Sequence, residues 1–177
     1  MPLDLLIHAS GLFALMFNIK GLVRPCDRTL RRTTGFAALL WSVNNFLLGA
    51  HTAAALSVVT VGRQMSAQSV QQAPQARRLL ACLGFMALML GIAVFTWHGP
   101  ITLVTTAGSM LATYAMFYMH GARLRLAMVG VSLLWMANAV AFDSWEQAAA
   151  NVASGAAAAW GAWRIKASAG TPKAAAA

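Results

Sequence analysis

Two short segments of this sequence place the same polar and aromatic residues at the same spacing. In the first, "LLWSVNNFLLGAHT", Trp41 is followed three residues later by Asn44. In the second, "LLWMANAVAFDSWE", Trp135 is followed three residues later by Asn138. An asparagine amide both donates and accepts hydrogen bonds, and an indole ring presents a flat apolar face. Together these residue types could bind a small neutral solute that carries hydroxyl groups, such as a sugar.

Two tyrosines could add hydroxyl groups to the same substrate-binding site. Tyr114 and Tyr118 are four residues apart, so they share one face of a helix; packing between helices is an equally good interpretation. The sequence shows no nucleophile with a neighbouring base, no glycine-rich phosphate loop and no paired carboxylates. We therefore expect no enzyme activity, no catalytic residue, no cofactor and no metal site.

The asparagines also have a structural interpretation. An unpaired amide in hydrocarbon costs several kcal/mol, so Asn44 and Asn138 could hydrogen-bond to other helices and hold them together, for about 1 kcal/mol each. Trp41 and Trp135 would then lie at the membrane interface. Both interpretations remain open at this stage. In either case we expect the two amides to face each other across a shared axis.

The composition predicts a polytopic, all-α membrane protein. The chain is 59% hydrophobic and 10% charged, whereas soluble domains are nearer a quarter charged. A spanning helix needs roughly 20 mostly apolar residues. Runs without acidic or basic residues occupy positions 5–19, 34–62, 79–122, 126–142 and 147–163. The expected partner is therefore the lipid bilayer. Nucleic acid is not expected despite the net charge of +9, because the basic residues cluster between the hydrophobic runs.

Two of these runs are too long for one helix. Residues 34–62 would extend about 43 Å as a single helix, and the only segment with turn character is at residues 49–52. Residues 79–122 have an evident break at "WHGP", where a Gly-Pro pair interrupts the run. The prediction is seven transmembrane helices, at roughly residues 4–23, 33–49, 52–66, 79–97, 100–119, 124–142 and 146–165.

The charges sort to opposite sides of such a bundle. All 13 lysines and arginines fall on one side, and the acidic residues Asp4, Asp143 and Glu146 fall on the other. The positive-inside rule then predicts a periplasmic N-terminus and a cytoplasmic C-terminus. The arginines at 24–32 are interpreted as topology determinants in contact with anionic lipid headgroups.

The two segments quoted above, "LLWSVNNFLLGAHT" and "LLWMANAVAFDSWE", also indicate an internal repeat. They are 94 positions apart, and each follows a basic loop and precedes a break. We predict a first three-helix repeat at residues 1–66, a polar loop and linker helix at 67–99, a second three-helix repeat at 100–166 and a disordered cytoplasmic tail at 167–177. Both repeats would begin on the same side of the membrane, related by an axis along the membrane normal.

This 3+1+3 arrangement, with a polar residue repeated at mid-membrane, resembles the SWEET sugar transporters and the wider PQ-loop group. The segments "FAALLWSVNNFLLGAHTAAALSVVTVGRQ" and "LLWMANAVAFDSWEQAAANVASG" are similar to YgjV-type bacterial inner-membrane proteins, and this resemblance covers most of residues 5–165. The SWEET resemblance implies paired asparagines and tryptophans around a central cavity, which here would be Asn44, Asn138, Trp41 and Trp135. Neither predicted helix 1 nor helix 5 has an interior proline, so a proline-hinged motion is not implied.

The sequence thus predicts an inner-membrane carrier for a small neutral, sugar-like solute. The alternative is a non-transporting scaffold or regulatory protein of the same fold. A cavity lined by Asn44 and Asn138 would favour the carrier, and amides closed on each other would favour the scaffold. Neither the substrate, the energy coupling nor oligomer formation follows from the sequence.

Overall fold

The computed structural model describes residues 2–47, 51–97, 99–141, 143 and 145–170. These residues form seven α-helices, as predicted, and no strand. The helices are α1 (Pro2–Val23), α2 (Asp27–Leu47), α3 (His51–Ser69), α4 (Gln75–Phe95), α5 (Ile101–Tyr118), α6 (Gly121–Ala141) and α7 (Trp145–Gly170).

Four helices are long and apolar enough to cross a membrane. Their candidate spans are Leu5–Val23, Gln75–Phe95, Ile101–Tyr118 and Gly121–Ala141. The other three helices, α2, α3 and α7, carry more polar residues. Much of that polarity faces the interior of the bundle, where it meets other protein groups and not lipid. The multi-pass membrane character predicted from the sequence is therefore supported.

Six of the helices form a closed ring. Around it, α1 packs against α2, α2 against α3, α3 against α5, α5 against α6, α6 against α7, and α7 against α1. Helix α4 lies outside the ring and packs mainly against α3 and α5. Its outer face is apolar and exposed, as expected for a lipid-facing helix, with Leu79, Leu80, Leu83, Leu88, Leu90, Val94 and Phe95 at the surface.

Both of the breaks in the repeated segments occur where they were predicted. Ser42 Oγ of α2 donates a hydrogen bond to the carbonyl oxygen of Ala54 in α3, at 3.1 Å. In one continuous helix these residues would be about 18 Å apart, so the chain reverses between them. Between α6 and α7, Asp143 has a positive φ of 53°, which interrupts the helix. Residues 48–50, 142 and 144 lie outside the described residues.

Helices α1 and α7 run in the same direction. His8 Nδ1 lies 3.7 Å from Glu146 Oε1, and further along both helices Asn18 Nδ2 donates to Ser154 Oγ at 2.9 Å. The start of α1 and the start of α7 are thus at the same end of the bundle. The start of α1 and the end of α7 therefore lie at opposite ends of the bundle.

The basic segment before the first repeated motif is helical, contrary to the predicted boundary. Helix α2 begins at Asp27 and not near residue 33, and the Leu30 N–H donates to the carbonyl of Cys26 at 3.1 Å. An acidic residue in the first turn also favours a helix start at this point, because it complements the helix dipole. The arginines of this segment therefore project from a helix, and their burial differs from one to the next.

Two other helix boundaries also differ from the predicted ones. Helix α4 begins at Gln75, directly after Pro74, so the segment predicted as a polar loop is partly helical. Helix α7 continues to Gly170. Residues 167–170, which were predicted to belong to a disordered tail, are therefore helical, and residues 171–177 lie outside the described part of the chain.

Arg31 does not contact lipid headgroups, so that prediction is wrong for this residue. It is only 1% exposed, and its Nε and Nη2 donate to the carbonyl oxygen of Met116 at 3.2 and 3.0 Å. Nη2 also donates to the carbonyl of Met119 at 3.4 Å. These carbonyls close α5, where helix carbonyls lack intrahelical partners and the helix dipole favours a cation.

Arg125, which follows Arg31 by 94 residues, makes the reciprocal contact. It is 0% exposed, and its Nη2 donates to the carbonyl of Arg24, just beyond the end of α1, at 2.5 Å. Its Nη1 forms an ion pair with Asp27 Oδ1 at 2.6 Å. With α1–α3 named the first triplet and α5–α7 the second, each arginine reaches from the middle helix of one triplet to the end of the first helix of the other.

A glycine lets α7 approach α1 closely near this ion pair. A Cβ atom at Gly161 would clash with the carbonyl oxygen of Leu22 and lie 3.2 Å from Cδ of Arg125. The small residues of α7 were expected to allow close packing, and Gly161 does so at the place where the two triplets meet.

Candidate functional site: a polar cavity inside the helix ring

A cavity of about 240 Å³ lies inside the ring. This is well above the ~10–15 Å³ needed for one water molecule and somewhat below the ~300 Å³ at which sites for drug-sized ligands begin. Every helix except α4 contributes to its wall. The polar lining residues are Asn18, Thr34, Asn45, Ser57, Thr60, Arg63, Gln64, Ser109, Ser132, Asn138, Gln147, Asn151 and Ser154.

Three of the residues singled out in the sequence line this cavity. Trp41 contributes from the first triplet, and Trp135 and Asn138 from the second. The Oδ1 atom of Asn138 accepts a hydrogen bond from Thr105 Oγ1 at 2.8 Å. Its Nδ2 has no acceptor within the described residues, so its donors remain available to a bound molecule.

Asn44 is not among the residues that line the cavity. Its Nδ2 donates to the carbonyl oxygen of Ile7 at 2.7 Å and to Ser10 Oγ at 3.2 Å, both in α1. Gly11 makes this possible, because a Cβ atom there would stand 3.3 Å from Asn44 Nδ2. Asn44 and Asn138 were expected to face each other across a shared axis, but Asn44 is turned toward α1 and does not line the cavity that Asn138 lines. Each amide bonds to the first helix of its own triplet.

Asn45, which the sequence analysis did not select, takes the cavity position. It is buried, and its Oδ1 accepts from Gln147 Nε2 of α7 at 3.2 Å. Neighbouring residues on a helix cannot face the same way, so only one asparagine of the pair could point to α1. The sequence spacing contained no signal that decides which one does.

The two tyrosines lie outside the cavity. Tyr114 is 47% exposed, and its ring centroid is 5.3 Å from that of Tyr118. The guanidinium carbon of Arg78, at the start of α4, lies 6.0 Å from the centroid of the Tyr118 ring. Their packing is therefore with each other and with α4, while the cavity opens on the other side of α5.

Arg63 is the charged residue among the lining residues that the sequence did not predict. It was placed at the cytoplasmic end of a helix, but α3 continues to Ser69, so Arg63 lies about 9 Å inside that end. It is 4% exposed, and its Nη1 donates to the carbonyl oxygen of Ser109 at 3.2 Å and to Thr113 Oγ1 at 3.1 Å. A usable signal was present, because Ser57, Thr60 and Arg63 form a polar stripe at helical spacing.

The different surroundings of the two asparagines give opposite expectations for their alanine variants. Asn44→Ala should lower the free energy of unfolding by about 1 kcal/mol, because it removes two hydrogen bonds to α1, and should not affect a ligand placed in the cavity. Asn138→Ala removes one hydrogen bond, so it should have a smaller effect on stability but should weaken the binding of such a ligand. Denaturation of both purified variants, together with a binding measurement, checks this. Equal effects of the two changes on both quantities would contradict it.

The chain is similar to known inner-membrane proteins. A model of the bacterial inner membrane protein family Imp-YgjV matches residues 5–169. The inner membrane protein YgjV of Escherichia coli (strain K12) is 23% identical over 131 residues, which cover 74% of this chain and 68% of that protein. No solved structure matches the chain.

Proposed function

Because this chain belongs to the bacterial inner membrane protein family Imp-YgjV, we propose that it is a multi-pass carrier, and not an enzyme, for a small polar solute. One observation carries the proposal, namely the cavity with a polar lining from six helices. Buried amides and hydroxyls are costly in a membrane protein unless they are paired. A cavity that leaves several of them facing open space is better matched to a ligand than to a packed scaffold.

We also propose that the two triplets arose by duplication of one three-helix unit. In such a duplication α1 corresponds to α5 and α3 to α7, and the contact of α1 with α7 accordingly has a counterpart in the contact of α5 with α3. Arg31 and Arg125 are 94 positions apart and make reciprocal contacts, as described above. The aromatic contacts agree as well, since Gly11 packs near Trp41 and Gly108 near Trp135. Two such triplets could rock against each other and open the cavity to either side in turn.

Access to the cavity tests the proposal without knowledge of the solute. In a Cys26→Ser background, Thr60→Cys places one thiol on the cavity wall, since Cys82 is buried. Methyl methanethiosulfonate, a small neutral thiol reagent, should modify this thiol in right-side-out and in inverted vesicles. Ser69→Cys, on the exposed end of the same helix, is the control for intrinsic reactivity. A thiol at position 60 that is unreactive from both sides would support the non-transporting scaffold.

A second experiment identifies the solute class. Purified protein in proteoliposomes is screened for uptake of small polar solutes, and Asn138→Ala serves as the loss-of-binding variant. The Asn44→Ala variant is the matched control, because Asn44 does not line the cavity. If both variants retain full uptake, the transported solute does not bind in this cavity.

The proposed orientation places the basic end of the bundle in the cytoplasm. Cys26 is an exposed thiol in the α1–α2 loop, at this end. Hydrogen bonds from the Thr29 backbone N–H and side chain lower the pKa of its thiol, so the reactive thiolate forms at lower pH than in an ordinary cysteine. A membrane-impermeant maleimide should therefore label inverted vesicles and spare right-side-out ones. Labelling of Cys26 in right-side-out vesicles would show that the orientation is the opposite of the one proposed. The Cys26→Ser variant is the unlabelled control.

A further inference from the structure

We propose that Arg63 makes the cavity a site for a small anion, so that the transported solute is a hydroxy-carboxylate and not a neutral sugar. This inference rests on the carrier function proposed above and assigns its substrate class. It differs from the expectation drawn from the sequence, because there Arg63 was assigned to a helix end outside the membrane.

Arg63 brings a full positive charge into the bundle. Arginine stays protonated in proteins, and this one is 4% exposed. Its two hydrogen bonds go to neutral oxygens, the carbonyl of Ser109 and the hydroxyl of Thr113. Its Nε is buried and has no acceptor among the described residues. The charge is therefore held inside the protein with part of its hydrogen-bonding capacity unused.

Among the residues whose side chains the structure describes, no acidic group pairs with Arg63. None of the described lining residues is an aspartate or a glutamate, and the whole chain has only four acidic residues. Of these, Asp27 is paired with Arg125, and Asp4, Asp143 and Glu146 belong to the opposite end of the bundle, around the starts of α1 and α7. A buried charge without a counter-charge is strongly unfavourable, and a bound anion would remove that cost.

The rest of the lining specifies what kind of anion fits. A guanidinium matches a carboxylate through paired hydrogen bonds, and a single arginine balances one negative charge, which favours a monocarboxylate over a dianionic phosphate. The amides of Asn45, Asn138 and Asn151, with several serine and threonine hydroxyls, suit a chain of hydroxyl groups. Trp41 and Trp135 provide apolar surface for its carbon skeleton.

Holding helices together does not by itself require a charge at this position. The position that corresponds to Arg63 in the second triplet, 94 residues later, is Ala157, which is buried in the hydrophobic core. Near that position the hydrogen bond between α7 and α1 is the neutral one from Asn18 to Ser154. The charge is thus present in the α3–α5 contact and absent at the corresponding position of the α7–α1 contact, and Arg63 lines the cavity.

Charged thiol reagents of similar size test this inference directly. In the Thr60→Cys protein, the thiol lies one helical turn from Arg63. Anionic methanethiosulfonate ethylsulfonate should react faster, relative to cationic methanethiosulfonate ethyltrimethylammonium, than it does in the same protein carrying Arg63→Gln. We expect the ratio of the two rates to fall by roughly tenfold or more on loss of the charge, since a unit charge a few Å away is worth more than 1.4 kcal/mol in partly buried surroundings. Arg63→Lys should retain the preference.

The outcomes separate this inference from the carrier proposal. Modification by the neutral reagent with no preference for the anion would overturn the anion site and leave a neutral-solute carrier standing. A thiol that the neutral reagent cannot reach would overturn both.

A second measurement needs no variant and covers the case in which Arg63→Gln fails to fold. D-Gluconate and D-sorbitol share a six-carbon polyol skeleton and differ in one terminal carboxylate. Gluconate should raise the thermal midpoint of the wild-type protein in lipid nanodiscs, and sorbitol should not. Stabilisation by sorbitol alone, or by neither compound, would contradict the proposed hydroxy-carboxylate site.

Discussion

Replacing Arg125 with methionine is expected to lower the free energy of unfolding by about 3–5 kcal/mol, the usual cost of removing one partner from a buried ion pair. Arg125 projects from α6 and is fully buried between α7 and the end of α1. Its loss would leave Asp27 without its closest counter-charge and the carbonyl of Arg24 without its donor. Methionine is similar in length and apolar, so the change tests the charge and hydrogen bonds more than the volume.

The matched control is Arg123→Met, two residues away on the same helix. Arg123 is exposed, so its replacement should change stability by less than about 1 kcal/mol. The double variant Arg125→Met, Asp27→Asn should recover part of the loss, because it also removes the uncompensated carboxylate. Unfolding in a denaturing detergent, followed by far-UV circular dichroism, measures all three. Equal destabilisation by Arg125→Met and Arg123→Met would rule out the buried ion pair.

Arg31→Met should be the second most damaging change among these predictions, with a loss of about 1.5–3 kcal/mol, the range for hydrogen bonds to a charged group. The side chain donates to two carbonyls at the end of α5, those of Met116 and Met119. Without it these acceptors stay buried and unpaired. Arg31→Lys should rescue only part of the loss, because an ammonium group lacks the planar fork that reaches two acceptors together.

The control for this change is the adjacent residue. Arg32 is exposed, so Arg32→Met alters the net charge by the same amount without touching α5. The same unfolding assay compares the two variants. If Arg32→Met is as destabilising as Arg31→Met, the stability of the basic end comes from overall charge or lipid contact, as the sequence first suggested, and the contact with α5 contributes little.

Local features of the sequence were sufficient for the membrane class and the number of helices. Hydrophobic runs, turn residues and the one-sided distribution of basic residues all act within about twenty neighbouring positions. The break after α2 follows from chain length alone, because residues 34–62 exceed one bilayer crossing. The repeated Trp-x-x-Asn spacing selected Trp41, Trp135 and Asn138, all of which line the cavity.

Only the tertiary structure decided which way the polar residues face. Asn44 and Asn45 are adjacent in sequence, yet one bonds to α1 and the other faces the cavity. The rotation of α2 about its axis decides between them, and in the structure that rotation places Asn44 and Trp41 against Gly11 of α1.

The three buried arginines show the same limit most clearly. In the sequence, Arg31 and Arg125 were indistinguishable from their exposed neighbours, because a basic residue near a helix end normally reaches lipid headgroups or water. For Arg63 only the polar stripe of α3 gave a signal. Apart from the carbonyl of Gly121, which accepts from Arg125 within α6, the acceptors of the three arginines are carbonyls, a hydroxyl and a carboxylate from 46 to 101 positions away along the chain. These partners come within hydrogen-bonding distance only when the two triplets close into a ring. The membrane class and the number of helices therefore follow from local sequence, whereas the placement of charge inside the bundle depends on long-range packing.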